Sequence, residues 1–349
     1  MVADGGLLVS LVRRCAPGYF AVVMATGIVS TALQLAGFHL VSALLLTIAA
    51  LGFAGLAAAS AVRLAVFPRV VRDDLRDPAV AFAGFAFVAA ADVTGEGFGL
   101  DGHPVATLGL GALALVGWLA LAWMVPGRLA FRAVPITWSQ FNGSAYLATV
   151  GLQSLAIAAA VYAASVLDPA PDPDPAVRAA FWLAAAVLWG AGLAAYLVTS
   201  TLIAARLRRA GLPAADPTAP YWVAMGAASI SVLAGAELLT VPAATGGGRG
   251  LITGLAVACW TMATLLIVPL AARSGWRHLR QRVPLRYRPD LWMVVFPAGM
   301  YAAASLRLGQ QAGIGFVHSI GWLAAWPALA AWALVTMALI ARLFTARLL

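Results

Sequence analysis

The sequence predicts an all-α integral membrane protein whose ten transmembrane helices form a single domain over residues 1–349. Hydrophobic residues make up 63% of the chain and charged residues only 10%, and the mean hydropathy is +0.92. A soluble protein of this size needs more charge to cover its surface. Uncharged stretches of the roughly 20 residues that cross a bilayer recur along the whole chain. Arginines fall mainly in alternate connections between these stretches, as expected when the chain crosses the membrane repeatedly.

The predicted spans are the apolar runs between clusters of charged and turn-forming residues. They cover residues 16–37, 40–66, 78–98, 104–126, 141–166, 176–205, 219–243, 250–273, 289–309 and 318–346. The sixth and tenth are longer than a straight crossing requires, which predicts tilt or an extension into the interface.

The arginines test this layout, because the cytoplasmic loops of membrane proteins are enriched in basic residues. All 22 basic residues are arginine, and the formal net charge is +9. With both termini in the cytoplasm, every arginine falls on the cytoplasmic side except Arg178, Arg249 and Arg307. The positive charge therefore indicates topology and the lipid bilayer as partner, and no nucleic-acid partner is predicted.

Motifs for chemistry are missing from the sequence. Cys15 and Cys259 lie at or inside apolar segments and read as small packing residues, with no metal spacing around them. The helices contain no zinc-binding H-E-x-x-H, no paired intramembrane aspartates and no Ser/His constellation, so we expect no enzyme, cofactor or metal site. The apolar run after Arg13 and Arg14 is too long for a signal peptide and lacks a clear cleavage site.

A repeated pattern occurs in the odd-numbered helices. An aromatic residue is followed four positions later by a bulky residue and three positions after that by a small one, a spacing that puts all three on one helix face. The three triplets are Phe20, Met24 and Gly27; Tyr221, Met225 and Ala228; and Trp292, Phe296 and Gly299. The fifth helix fits loosely, and the third has only an aromatic cluster that includes Phe85.

Polar and kink-prone residues also concentrate on the odd-numbered helices, which predicts five helical hairpins with the odd helices together around a central pore. The alternative is that small and polar residues simply mark helix contacts. The candidate pore-lining residues are Phe20, Met24, Gly27, Phe85, Tyr146, Gln153, Met225, Ser229, Pro297 and Gly299.

Pro297 predicts a bend in the ninth helix, because a proline inside a helix removes the hydrogen bond to the carbonyl four residues earlier, here Met293. Irregular backbone at membrane depth is tolerated where it is buried or lines a cavity. Phe296 would lie at this bend, where a ring can close a narrow pore and exclude water. Phe296 as an ordinary core residue is the alternative.

Five stretches of the sequence resemble the tellurite-resistance/dicarboxylate transporter family, which includes bacterial tellurite-resistance permeases, fungal malate and sulfite transporters and plant slow-type anion channels. They are P-G-Y-F-A-V-V-M-A-T-G-I-V-S (17–30), F-A-F-V-A-A-A-D-V-T-G (85–95), N-G-S-A-Y-L-A-T-V-G-L-Q-S-L-A (142–156), Y-W-V-A-M-G-A-A-S-I-S-V-L-A-G (221–235) and L-W-M-V-V-F-P-A-G (291–299).

The resemblance implies a five-hairpin bundle around a central pore, often assembled as a homotrimer, in which a phenylalanine of the pore acts as the gate. The F-P pair of the ninth helix makes Phe296 the candidate for that gate. In this chain Ala25 replaces a glycine of the fungal-type M-G-T-G motif in the first helix, which affects the width of the pore at that level.

The charges on the odd helices bear on what passes. Arg307 is the one arginine near the outer end of a pore helix, so we expect weak binding and fast, loosely selective passage of anions. Asp92 and Glu237 fall near the outer ends of the third and seventh helices, where carboxylates are candidates for proton coupling. The alternative is that both are solvated in the headgroup region.

The sequence therefore supports two hypotheses for a multi-pass protein of the cell membrane. The first is an anion channel or permease that moves small inorganic or organic anions, such as malate, sulfite, tellurite, chloride or nitrate. The second is a proton-coupled transporter of C4-dicarboxylate, sulfite or tellurite that uses Asp92 or Glu237.

Overall fold

The computed structural model describes residues 9–10, 12–13, 15–124, 142–166, 174–211, 218–241, 247–280, 282–283 and 287–347. Within these ranges the chain is helical, and ten helices are long and apolar enough to cross a membrane, which confirms the predicted class and number. They are α1 (Phe20–Leu35), α2 (His39–Val66), α3 (Phe85–Leu100), α4 (Pro104–Met124), α5 (Tyr146–Val161), α6 (Pro175–Ala210), α7 (Ala219–Leu238), α8 (Gly247–Leu279), α9 (Trp292–Ala312) and α10 (Gly315–Arg347).

The helix ends differ from the sequence prediction in places. The helix α8 continues to Leu279, past the predicted end at 273, and α6 continues to Ala210, past 205. The α6 extension carries three arginines, Arg206, Arg208 and Arg209, whereas the α8 extension carries Arg277 beside His278. The predicted boundaries at 126, 141 and 243 lie outside the described residues.

Burial divides the ten helices into two sets. In the odd-numbered spans 67% to 83% of the apolar window is buried within the protein, against 11% to 28% in the even-numbered spans. Large apolar side chains such as Leu44, Ile48 and Leu51 cover the outer face of α2. Because lipid is as apolar as leucine, these side chains suit a lipid-facing surface, and the even helices separate the odd helices from the bilayer.

The contacts between helices follow one rule around the molecule. Each odd-numbered helix packs against the even-numbered helix that follows it. The odd helices also pack against one another in a closed sequence: α1 against α3, α3 against α5, α5 against α7, α7 against α9, and α9 against α1. We call these five helices the inner ring. Each even helix also touches the next odd helix, so α10 reaches back to α1.

A glycine lies at each of the five contacts of the inner ring. A β-carbon at four of them would come within 2.8 to 3.4 Å of a side chain on the neighbouring helix, and at the fifth it would overlap a backbone carbonyl. The pairs are Gly27 with Val93, Gly151 with Phe85, Gly143 with Pro220, Gly226 with Phe296, and Gly299 with Val29. Small residues at helix contacts allow the backbones to approach closely, so the inner ring is narrow.

The tightest of these contacts gives a test of the packing. Gly143, in the 3₁₀ turn that leads into α5, lies against the carbonyl of Pro220 at the start of α7. A backbone carbonyl cannot move aside as a side chain does, so Gly143→Ala should cost about 1–3 kcal/mol of folding free energy. We expect a lower thermal unfolding midpoint in detergent and a lower yield of monodisperse protein.

Gly254→Ala is the matched control, because Gly254 is exposed on α8 with nothing within 4 Å of the added carbon. Alanine is favoured over glycine within a helix by about 1 kcal/mol. This control should therefore unfold at the wild-type temperature or above it. Equal midpoints for the two variants would contradict the proposed packing.

Candidate functional site

The side-chain contacts of α9 identify which of its faces points toward the inside of the ring. Two of its residues point to α8: Ser305 Oγ accepts a hydrogen bond of 2.9 Å from Trp260 Nε1, and the hydroxyls of Tyr301 and Thr264 are 2.8 Å apart. Gly309 packs against α10, where its added carbon would overlap the backbone of His318. These contacts define the outward face of α9.

The opposite face of α9 carries Phe296, Ala303 and Arg307. The spacing of seven and eleven residues puts all three on one side of a helix, away from α8 and α10 and toward the inner ring. Phe296 and Ala303 are completely buried. An aromatic ring and a guanidinium therefore share the inward face, roughly 16 Å apart along the helix.

Phe296 packs against a glycine of α7. A β-carbon on Gly226 of α7 would lie 3.0 Å from Phe296 Cε1 and 3.0 Å from Pro297 Cγ, so the ring and the proline fit into the space left by the missing side chain. Pro297 lies inside α9, as the sequence predicts, and cannot donate a backbone hydrogen bond to Met293. The ring therefore sits beside a point of weakened backbone hydrogen bonding.

Arg307 forms a bidentate ion pair with Glu237 of α7. Its Nε lies 2.5 Å from Oε1 and its Nη2 lies 3.0 Å from Oε2. The exposed fraction is 18% for the Arg307 side chain and 4% for Glu237. Glu237 follows Gly226 by the same eleven residues that separate Arg307 from Phe296, so α7 and α9 run in register over about three turns.

Glu96 of α3 completes this group, and sequence reasoning missed it as a site residue. It is buried and interacts electrostatically with both Glu237 and Arg307. Within the inner ring α3 packs against α1 and α5, whereas α7 and α9 lie on the other side, so this interaction crosses the ring. We call Glu96, Glu237 and Arg307 the ionic layer.

Asp92 lies one turn before Glu96 on α3 and interacts with it electrostatically. It is 4% exposed, and neither carboxylate oxygen has a hydrogen-bond partner among the described residues. Glu237, taken as a whole residue, is 3% exposed. The alternative that Asp92 and Glu237 are solvated is therefore wrong. In the sequence, the i, i+4 spacing of Asp92 and Glu96 was the signal that these two residues share one face of α3.

Phe85 precedes Glu96 by eleven residues, just as Phe296 precedes Arg307. Since α3 and α9 run in the same direction, Phe85 and Phe296 belong to one level of the ring, which we call the aromatic layer. Phe85 Cδ1 would lie 3.4 Å from a β-carbon on Gly151 of α5. The ionic layer lies about three turns further along α3 and α9, toward their C-terminal ends.

Four other candidate residues face the even helices. Tyr146 donates a hydrogen bond of 3.0 Å to Ser200 of α6, and Gln153 bonds Ser231 of α7 at 2.9 Å and packs on Gly192 of α6. Met225 and Ser229 share a helix face with Trp222, whose indole donates to Ser274 of α8 at 3.1 Å. These contacts join inner helices to outer helices, and the hydrogen bond of Gln153 to Ser231 also joins α5 to α7.

The candidates on α1 face its neighbours. Phe20 packs edge-on against Phe53 of α2 and Phe87 of α3, with centroids 5.9 and 5.1 Å away. Gly27 contacts Val93 of α3, and Met24, which is fully buried, follows Phe20 by one turn.

Gly299 contacts Val29 of α1. Among the candidate residues, Phe296 therefore remains on the inward face of α9, and Phe85 lies at the same level on α3.

The arrangement brings together groups that can recognise charge. With all groups ionised, Asp92, Glu96 and Glu237 contribute three negative charges and Arg307 one positive charge within the buried ring. The described residues contain no group of three or more His, Cys, Asp or Glu side chains placed to hold a metal ion. A guanidinium with a carboxylate partner, and further carboxyls nearby, can bind an anion or exchange a proton.

Comparison with known proteins identifies the family of the chain. A family model described as voltage-dependent anion channel matches residues 14–340. Two relatives, uncharacterized membrane proteins of Mycobacterium tuberculosis strains CDC 1551 / Oshkosh and ATCC 25618 / H37Rv, are each 45% identical over 147 residues. The aligned part covers 42% of this chain and 75% of each relative. The resemblance to the tellurite-resistance/dicarboxylate transporter and slow-type anion channel family is thereby confirmed. The chain is a multi-pass membrane protein that belongs to the voltage-dependent anion channel family.

Proposed function

We propose that the protein is an anion channel or permease, and that small anions cross the membrane inside the ring formed by α1, α3, α5, α7 and α9. The observation that carries this proposal is the closed set of buried helices with Phe296 and Arg307 on the inward face of α9. An aromatic constriction and a cation along one axis are the parts that an anion pathway needs.

The proposed topology has five helical hairpins with both termini in the cytoplasm, as the arginine distribution favours. The proposed location of the protein is the plasma membrane. All inner helices then begin at the cytoplasmic end. Their partial positive charges, together with the arginines of the inner face, would enrich anions there. A homotrimer is the assembly that the family resemblance implies. We assign no catalytic role to any residue.

The test of this function is a flux measurement on purified protein in vesicles with chloride, nitrate, sulfite, malate and tellurite. We expect anion currents or fluxes above those of empty vesicles, with differences among the anions that follow size and dehydration cost. Vesicles that carry none of the five anions, with correctly folded protein present, would contradict the proposal.

Phe296 is proposed as the gate, because its ring lies on the inward face beside Pro297 and is seated on Gly226. Phe296→Ala removes the ring from the constriction. We expect a severalfold rise in basal anion current at equal protein density, measured in planar bilayers or vesicles.

The matched control is Phe53→Ala, which removes a buried ring from the outer helix α2 and leaves the axis intact. It should lower stability, as loss of a packed aromatic does, without raising the current. A wild-type current in Phe296→Ala, or an equal rise in both variants, would refute the assignment of the gate.

Proton-coupled transport is the second candidate, and the unpaired, buried carboxylate of Asp92 one turn from Glu96 favours it. Protons taken up by these two groups would reduce the repulsion that an anion meets at the ionic layer. The carboxyls would then carry protons in step with the anion.

The reversal potential under a pH gradient separates the two candidates. A channel follows the anion gradient alone, and Asp92→Asn and Glu96→Gln should leave its reversal potential unchanged; this is the result we expect. Coupled transport instead predicts a wild-type reversal potential that shifts with pH and a smaller shift in either amide variant. Both amides keep the shape of the side chain, so normal expression is the control for folding.

A further inference from the structure

The guanidinium of Arg307 has two edges that can each hold an anion. Glu237 occupies one edge, through Nε and Nη2. On the other edge, Nη1 has only a 3.5 Å contact with Gln310 Oε1, and Nη2 keeps its second hydrogen. Among the described residues no other side chain approaches this edge with a hydrogen bond. The end of the side chain is thus charged, oriented and open.

This edge lies within the inner ring. Arg307 shares the inward face of α9 with Phe296, and Glu96 interacts with it from across the ring. Its side chain is 18% exposed, so it is neither sealed nor free in solvent. By contrast, Arg249 at the same end of the bundle belongs to the lipid-facing α8 and donates to the backbone carbonyls of Leu239 and Gln311.

We propose that Arg307 is the anion-binding residue of the outer half of the pathway, and that it selects anions with two coplanar oxygens, such as nitrate or a carboxylate. Its Nη1 and Nη2 would donate two parallel hydrogen bonds to such an anion, as guanidinium groups do with carboxylates. A spherical halide offers a single acceptor atom, so it can meet both donors only through bent and therefore weaker hydrogen bonds. This inference rests on the proposed function and names the class of anion that it favours.

Glu237 has two effects in this site. As a bidentate partner it fixes the plane of the guanidinium, so little side-chain entropy remains to be lost when an anion arrives. It also neutralises the positive charge, and Glu96 adds a negative charge nearby. The anion is therefore held chiefly by two directed hydrogen bonds, which allows selection by shape together with rapid release.

The test is Arg307→Lys, which keeps a positive charge for Glu237 but presents a single ammonium in place of the planar edge. Nitrate and bromide are compared because both are monovalent and similar in dehydration cost. We expect the ratio of their half-saturating concentrations to shift against nitrate by about tenfold, the effect of one charge-assisted hydrogen bond. An unchanged ratio would overturn the proposal.

A second variant guards against misfolding. Arg307→Gln with Glu237→Gln removes both charges of the ion pair, so neither partner is left behind without the other, and it should also lose the preference for nitrate. Arg249→Lys is the matched control and should keep the wild-type ratio. A loss of preference in Arg249→Lys as large as that in Arg307→Lys would assign the effect to general electrostatics and overturn the site.

Thermal stabilisation of the purified protein by sodium nitrate relative to sodium bromide gives a readout independent of transport. Stabilisation by nitrate that Arg307→Lys abolishes supports the site even if vesicles carry no anion, in which case the proposed function alone fails. If anion currents are present but Arg307→Lys changes neither the nitrate-to-bromide ratio nor the stabilisation by nitrate, the proposed function stands and the site is rejected.

Discussion

The close approach of the five inner helices is the constraint on which the rest of the structure depends. A glycine at each contact of the ring lets neighbouring backbones meet where a methyl group would clash, at Gly226 against Phe296 for example. A ring this tight leaves space at its centre for few side chains. In the proposed pathway, the side chains that point inward, chiefly Phe296 and Arg307 on α9, would determine what can pass. The even helices carry the large apolar side chains and supply the lipid-facing surface.

Ionised groups inside such a ring are costly unless they are paired, because removal from water disfavours each charge by several kcal/mol. The Arg307–Glu237 pair meets this cost with two short hydrogen bonds. A lone arginine would hold an anion too firmly for passage, and no cation at all would leave the anion without a partner on the way. A neutralised guanidinium with one open edge lies between these limits.

The sequence was sufficient for the ten spans, because hydropathy reports on contact with lipid, and for their division into two sets, because polar and small residues concentrate on the odd helices. Periodicity also placed Phe296 and Pro297 inside one helix, where the structure has them. It did not identify the neighbour toward which a face points. Met225 and Ser229 share a face that turns to α8, and only the packing of Trp222 on Ser274 reveals this. Glu96 was missed for the same reason, since its partners come from helices far away in the chain.

The register between α7 and α9 links the two layers. Gly226 faces Phe296, Glu237 faces Arg307, and both pairs are separated by 70 positions in the sequence. A slide of α9 along α7 by one residue would unseat the ring and strain the ion pair together. Pro297 follows Phe296 directly, and the hydrogen bond that it cannot donate to the carbonyl of Met293 lies on the side of the ring away from Arg307. If an anion binds at Arg307 as proposed, any displacement of this side chain would act on the same helix that carries the Phe296 ring.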